Sequence, residues 1–276
     1  MIRHYLQLVK PGIIFGNLVT ATGAFVLASS HLDLPILFVT LFSLALIIGS
    51  ACIFNNIRDQ KADALMIRTQ TRALPLGLIA PADATVYATT LGSVGFLLIT
   101  TFVGAVPGLL SLLGFAIYVV LYSQAKYLTP HATLLGSLAG ALPPAIGYTA
   151  AHPFDLPALL LFLLVAFWQM PHFYSIALYR LSDYRAASIP VHPLVRGLTS
   201  TKKEILLYLL LYTLLVPILT LFGYTSFLFL VATSVVNLSW LAFSFRPFAT
   251  RPHLWAKGMF RFSLLSITVF SVFLPI

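Results

Sequence analysis

Nine apolar runs, each close to the length that crosses a bilayer, dominate this chain of 276 residues. A helix needs about 20 apolar residues to span about 30 Å of hydrocarbon. The runs cover roughly 13–30, 35–55, 85–104, 107–124, 132–151, 156–178, 204–222, 225–244 and 258–275. The divisions near Pro107 and Gly223 are the least marked. Only 8% of the residues are charged, whereas a soluble domain carries about 25%. So few charges cannot cover a water-facing surface, and lipid must be the solvent for most of the exterior. The expected fold is an all-α polytopic membrane protein, one membrane-embedded domain over 1–276.

The basic residues test this division. With Arg3 and Lys10 on the cytoplasmic side, Arg58, Lys61, Arg68, Arg72, Lys126, Arg180, Arg185, Arg196, Lys202, Lys203, Arg246, Arg251 and Lys257 fall there too, and Arg261 opens the last run on the same side. The outer connections, around 31–34, 105–107, 152–155 and 223–224, hold no Lys or Arg. This is the positive-inside pattern, and a wrong count of spans would scramble it. It predicts a cytoplasmic N-terminus and an outer C-terminus, as in a bacterial inner-membrane protein. The net charge of +9 therefore reflects topology, and no nucleic-acid partner is expected. The first twelve residues are too short and mixed for a cleaved signal. Cys52, alone in an apolar run, has no partner for a disulfide or a thiolate metal site and reads as a packed core residue.

Two cytoplasmic connections, at about 55–84 and 179–203, exceed what topology requires. With their flanks they hold Asp59, Asp63, Asp83, Asp183 and Glu204, leaving Asp33 and Asp155 to short outer turns. They follow runs two and six and enter with the same orientation, as a parallel duplication would give, although the halves share little residue identity.

Asn55, Asp59 and Asp63 are spaced by four. On a helix each such step turns about 40° past a full circle and rises about 6 Å, so the three make one oxygen-bearing stripe at the membrane boundary. Two carboxylates and an amide oxygen suit Mg2+, which keeps water and substrate phosphates as its other ligands. Basic groups follow: Arg68 and Arg72 four apart, Lys126 four beyond Tyr122, and Arg180 three before Asp183. Metal-holding acids ringed by Arg and Lys fit a diphosphate and its departure as a leaving group. The ordinary alternative is a set of weak surface ion pairs such as Asp59 with Lys61. The register at a membrane boundary, with four separate basic elements, favours the diphosphate. A lipid-soluble diphosphate would explain a site at the edge of a bilayer.

These residues resemble the UbiA-type intramembrane prenyltransferases. Asn55, Asn56, Asp59 and Asp63, followed by Arg68, Thr69, Arg72 and Leu74, are similar to that superfamily's first signature, and Tyr122 with Lys126 to its tyrosine–lysine element. The segments Lys10–Asn17, Gly136–Pro144, Trp168–His172 and Asp183–Pro193 resemble its haem-farnesylating branch, and the likeness covers nearly the whole chain. The resemblance implies about nine helices ringed around a central cavity. It implies transfer of farnesyl from farnesyl diphosphate to a vinyl group of haem B, with water added to give haem O. Mg2+ on the stripe would help the diphosphate leave, and the vinyl carbon would attack the resulting allylic cation. Asn55, Asp59, Asp63, Lys126, Arg180 and Asp183 would be catalytic. Asn55, Asp59, Asp63 and Asp183 would hold metal, and Arg68, Arg72, Tyr122, Lys126 and Arg180 diphosphate. A terminal oxidase or haem A synthase would receive the product. Two departures stand out: Asn56 where the superfamily usually has Asp, and a single carboxylate, Asp183, where quinone-type members have a second aspartate-rich motif.

Of seven histidines, His172 is the haem-proximal candidate, whereas the others read as interfacial or loop residues and His192 is discounted. Pro143, Pro144 and Pro171, inside apolar runs, are expected to line the cavity. Some aromatic rings would line the farnesyl tunnel and steady a cation. Prenylation of a quinone precursor is the first alternative. A transporter is the second, disfavoured because ionisable groups avoid the middle of the runs.

Overall fold

The computed structural model describes residues 2–248 and 251–276. Helix α1 (Ile2–Leu8) leads into α2 (Pro11–Ala28) and α3 (Leu34–Asp63). Next come α4 (Pro81–Leu98), α5 (Ala105–Ala116) and the single turn α6 (Ser123–Ala125). The broken pair α7 (Ala132–Gly140) and α8 (Leu142–Thr149) precedes α9 (Leu156–Tyr179). Two short helices, α10 (Leu181–Ala186) and α11 (His192–Val195), lead to α12 (Leu198–Leu215), α13 (Ile218–Leu221), α14 (Phe227–Ser244) and α15 (Pro252–Phe273). Among the described residues eight helical stretches are long and apolar enough to cross a membrane. The expected fifth span is instead α7 and α8 end to end, interrupted at Ala141 before Pro143 and Pro144. A proline lacks the N–H of the ladder and clashes with the preceding turn, so the break follows from the sequence.

Local chemistry sets the ends. Asp33 Oδ1 accepts from the Ile36 amide at 3.0 Å and Asp155 Oδ1 from Ala158 at 3.4 Å. These outer-turn acids thus cap the helices that follow them. Proline stands in the first turn of both, where its missing N–H costs nothing. Gly104 and Gly223, at φ of 144° and 78°, turn the chain near the two least marked divisions. There glycine supplies a backbone conformation that side chains oppose.

The interior is apolar, with Phe25, Leu161, Phe229 and Trp240 buried in it, and the exterior is apolar as well. Phe15, Phe38, Leu97, Leu214, Leu221 and Phe227 lie bare on the outside, as lipid contact requires. Small and polar residues add to the helix contacts. Ser50 Oγ donates to the Ala88 carbonyl at 2.7 Å, and Ser266 Oγ to Asn237 Oδ1 at 2.7 Å. Lipid offers no hydrophobic drive between helices, so close approach and such bonds hold them together. Helix α2 packs on both α8 and α15, which brings the first and last long helices together and closes a ring.

Two glycines set how close that ring draws. A Cβ on Gly147 of α8 would overlap the backbone of Ala21 in α2, and one on Gly23 would overlap the Ser271 carbonyl. Gly147→Ala should therefore destabilise the chain by about 1–3 kcal/mol, the usual cost of overpacking. Thermal unfolding in detergent should show a lowered midpoint, whereas Gly12→Ala, whose Cβ meets nothing within 4 Å, should not lower it.

Candidate active site

Helix α3 is 30 residues long. At 1.5 Å per residue it measures about 45 Å, longer than the hydrocarbon layer, and the polar run that closes it, residues 55–63, makes its last turns the part suited to lie beyond the lipid. The stripe predicted from spacing sits on these turns: Asn55, Asp59 and Asp63 all line one cavity of about 780 Å³ inside the ring. Nine residues of the first expected connection are thus still helical.

Each stripe residue meets a basic side chain from a different stretch of chain. Asp59 Oδ2 accepts from Lys126 Nζ, which follows α6, and Asp59 Oδ1 from the Tyr127 hydroxyl at 2.7 Å. Asp63 Oδ2 accepts from Arg72 Nη1 at 2.7 Å, and the same nitrogen is 3.5 Å from Asn56 Oδ1. Asn55 Oδ1 accepts from Lys10 Nζ at 3.3 Å, and Asn55 Nδ2 donates to Ser123 Oγ at 3.2 Å. Burial pushes the Lys126 ammonium down, and the Asp59 carboxylate pulls it partly back. Burial, then the bond to Asp59, raises the Tyr127 hydroxyl, so it stays a donor. The ordinary surface pair of Asp59 with Lys61 does not form, and Lys61 is exposed.

The two long connections meet over the mouth of the cavity. Ala62, Met66 and Ile189 form a buried cluster with Tyr127 and Tyr184 packed on it. Arg68 lines the cavity from one connection, and Tyr184, Pro190 and Val191 from the other. Asp183, buried, lies 3.9 Å from Arg68 Nε, and joins the site through that guanidinium. Arg180 is not brought in: its guanidinium lies 5.0 Å from the Tyr179 ring centre, and its buried Nε has no partner among the described residues.

Below this polar mouth the walls turn apolar, with Leu44, Ile47, Leu142, Ile146 and Val165. Tyr122 lines the cavity, its ring stacked on Tyr118 at 5.4 Å and packed on Gly136. His172 lines it from α9. Of the prolines expected there, Pro143 lines the cavity and Pro144 and Pro171 do not. The Pro171 carbonyl is instead taken by Ser175 Oγ at 2.6 Å inside α9. His192, read as a loop residue, is buried, with Nδ1 2.9 Å from Thr201 Oγ1 and its ring tilted against Tyr174 at 5.1 Å.

Lys10, Tyr127 and Ser123 were missed by sequence reasoning. A lysine just before a span reads as a topological anchor, and only the fold turns it onto Asn55, 45 residues away. Among the described residues no three His, Cys, Asp or Glu side chains are grouped to hold a metal. Two carboxylates and an amide remain, a hard-oxygen set that leaves positions for water and phosphate and so fits Mg2+.

The sequence model of the UbiA prenyltransferase family matches residues 17–266. The protoheme IX farnesyltransferase of Yersinia enterocolitica is 45% identical, covering 100% of this chain and 95% of its own. That of Protochlamydia amoebophila is 46% identical, covering 100% and 98%. A solved chain of digeranylgeranylglyceryl phosphate synthase superposes with a TM-score of 0.81 at 15% identity, covering 99% of this chain and 97% of that one. A UbiA homolog from Archaeoglobus fulgidus bound to GPP and Mg2+ superposes at 0.71 and 15% identity, covering 99% and 100%. These likenesses at low identity establish the fold, and the family match with the near-full-length relatives establishes descent: the chain belongs to the UbiA prenyltransferase family of integral membrane enzymes, in its protoheme IX farnesyltransferase branch.

Proposed function

We propose that this chain transfers a farnesyl group from farnesyl diphosphate to a vinyl group of haem B, adding water to give haem O. The observation that carries the reading is the pairing of Asp59 with Lys126 and of Asp63 with Arg72 at the mouth of an apolar cavity. A prenyl diphosphate needs such a division, ionic at one end and apolar along its tail. The relatives named for protohaem farnesylation support the acceptor.

Asn55, Asp59 and Asp63 would hold Mg2+, with Asp183 beside Arg68. The metal supplies positive charge where the diphosphate gains negative charge on leaving. Arg68, Arg72 and Lys126 hold the diphosphate oxygens by charge-assisted hydrogen bonds. The bond from farnesyl C1 to oxygen breaks, and its electron pair leaves with the diphosphate. Vinyl π electrons form the new carbon–carbon bond to C1. The cation left beside the porphyrin ring takes up water, which then loses a proton. The stacked Tyr118 and Tyr122 rings offer faces to the allylic cation, and the apolar walls keep water from it. Arg180, turned onto Tyr179, would have to swing round to reach the diphosphate.

The chain would work as one domain in a bacterial inner membrane, with the connections at 55–84 and 179–203 on the cytoplasmic side. A terminal oxidase or haem A synthase would then take the product.

Purified protein given haem B, farnesyl diphosphate and Mg2+ should yield haem heavier by one farnesyl plus one water, read by mass spectrometry. Asp59→Asn or Asp63→Asn should lower that yield about 10²–10³-fold, the usual cost of removing one preorganised charge, with membrane insertion intact. Near-normal turnover in both variants would sink the metal stripe. For topology, Asp33→Cys should label with an impermeant maleimide from outside intact cells and Lys203→Cys only after lysis. The reverse pattern would invert the orientation.

A further inference from the structure

Helices α9 and α15 are fastened at Ser263. Trp168 Nε1 donates to the Ser263 carbonyl at 2.9 Å. The Ser263 hydroxyl donates to the Phe260 carbonyl at 2.6 Å. Its one hydrogen is thereby committed, so Ser263 Oγ, 2.7 Å from His172 Nδ1, can only accept. Nδ1 therefore carries the hydrogen, and in a neutral imidazole the other nitrogen, Nε2, then holds a lone pair.

That lone pair has no protein partner. His172 is the one histidine lining the cavity among the described residues, and its Nε2 makes no hydrogen bond among them. His172 is only partly buried and lines the cavity, so a ligand can reach that nitrogen. The ring is also held in place. Trp168 stacks on it at 4.9 Å and 26°, and Phe260 and Phe173 lie 5.1 and 5.3 Å away. A fixed Nδ1–H tautomer, a rigid ring and an open Nε2 are what a metal-ligating imidazole requires.

Taking the acceptor to be haem, as proposed above, we infer that His172 Nε2 occupies an axial position of the acceptor's iron, with Ser263 as its positioning residue. His172 lies eight residues before Arg180, about 12 Å deeper along α9. The iron is therefore held well below the end of α9. An edge of the macrocycle rather than its centre would then reach toward the diphosphate end, as transfer to a vinyl group needs. Iron ligation sets this offset, so the histidine acts on which carbon is presented rather than on the bond-making itself.

The test adds ferrous haem B to the full-length protein in detergent without farnesyl diphosphate and reads the iron–histidine stretch by resonance Raman. Wild type should show it. His172→Gly should lose it and recover it with added imidazole, which only a folded cavity can seat. His172→Phe, which keeps a flat ring between Trp168 and Phe260, should lose it without recovery. Ser263→Ala should weaken haem binding about 10–100-fold, the usual effect of losing a ligand's supporting bond. An unchanged stretch in His172→Gly would overturn the assignment. So would wild type that farnesylates haem yet shows no stretch, and in that case the acceptor reading survives. Wild type that neither binds nor farnesylates haem would overturn the acceptor reading and this one with it.

Discussion

Charge at the edge of a hydrocarbon layer must be answered, and that requirement organises this protein. A carboxylate with little water around it is costly unless a cation or several donors meet it. Asp63 is buried and Asp59 largely so, and the answering groups come from elsewhere in the chain: Lys126 from beyond α6 and Arg72 from the first connection, while Lys10 meets the neutral Asn55 beside them. Lys126 is 67 residues from Asp59, so pairing them fixes the end of the α5–α6 stretch against the end of α3. Arg58 adds a bond to the Ser123 carbonyl at 2.8 Å, and Gln60 one to the Leu74 carbonyl at 2.8 Å. The same bonds that make the polar mouth thus tie down the chain around it.

The mouth is also arranged for exchange. Its carboxylates are neutralised by groups that a diphosphate would attract more strongly. Under the proposed reaction Lys126 and Arg72 would pass from the acids to the phosphate oxygens, and Asp59 and Asp63 would hold the metal. Charge is matched before and after, so entry of the substrate strands no ion in a poorly hydrated place. This would be cheaper than holding bare carboxylates ready, and under that reading it accounts for the tight pairing of Asp59 with Lys126 and of Asp63 with Arg72. The two connections above share the Ala62–Met66–Ile189 cluster and the Arg68–Asp183 pair, so a change at one is felt at the other.

Much of this was legible in the chain. Apolar runs of fixed length between one-sided basic residues leave little choice but a helical membrane protein. Spacing by four put Asn55, Asp59 and Asp63 on one face, because a helix period is local. Partners at long range were less legible. Lys10 and Tyr127 sit beside other plausible roles, an anchor and an interfacial aromatic, and only the closing of the ring chooses between these. Arg180 shows the converse: its sequence position fits the site, yet the turn that ends α9 directs its guanidinium onto Tyr179. Proline marked where α7 gives way to α8 but not which way each ring would point, so Pro143 lines the cavity and Pro171 does not.

The halves of the mouth are unequal because their helices end differently. Helix α3 runs on past the lipid to Asp63, so three polar residues share one rigid face. Helix α9 stops at Tyr179, before the first acid beyond it, and after the break at Arg180 a separate short helix, α10, carries Asp183. A stripe needs an unbroken helix, and the second half has none. What α9 offers instead lies deeper, where Trp168, Gln169 and His172 look into the cavity. One half thus holds charge at the surface, while the other presents flat rings and a nitrogen within the membrane. That is the division a reaction between an anionic donor and a large planar acceptor requires.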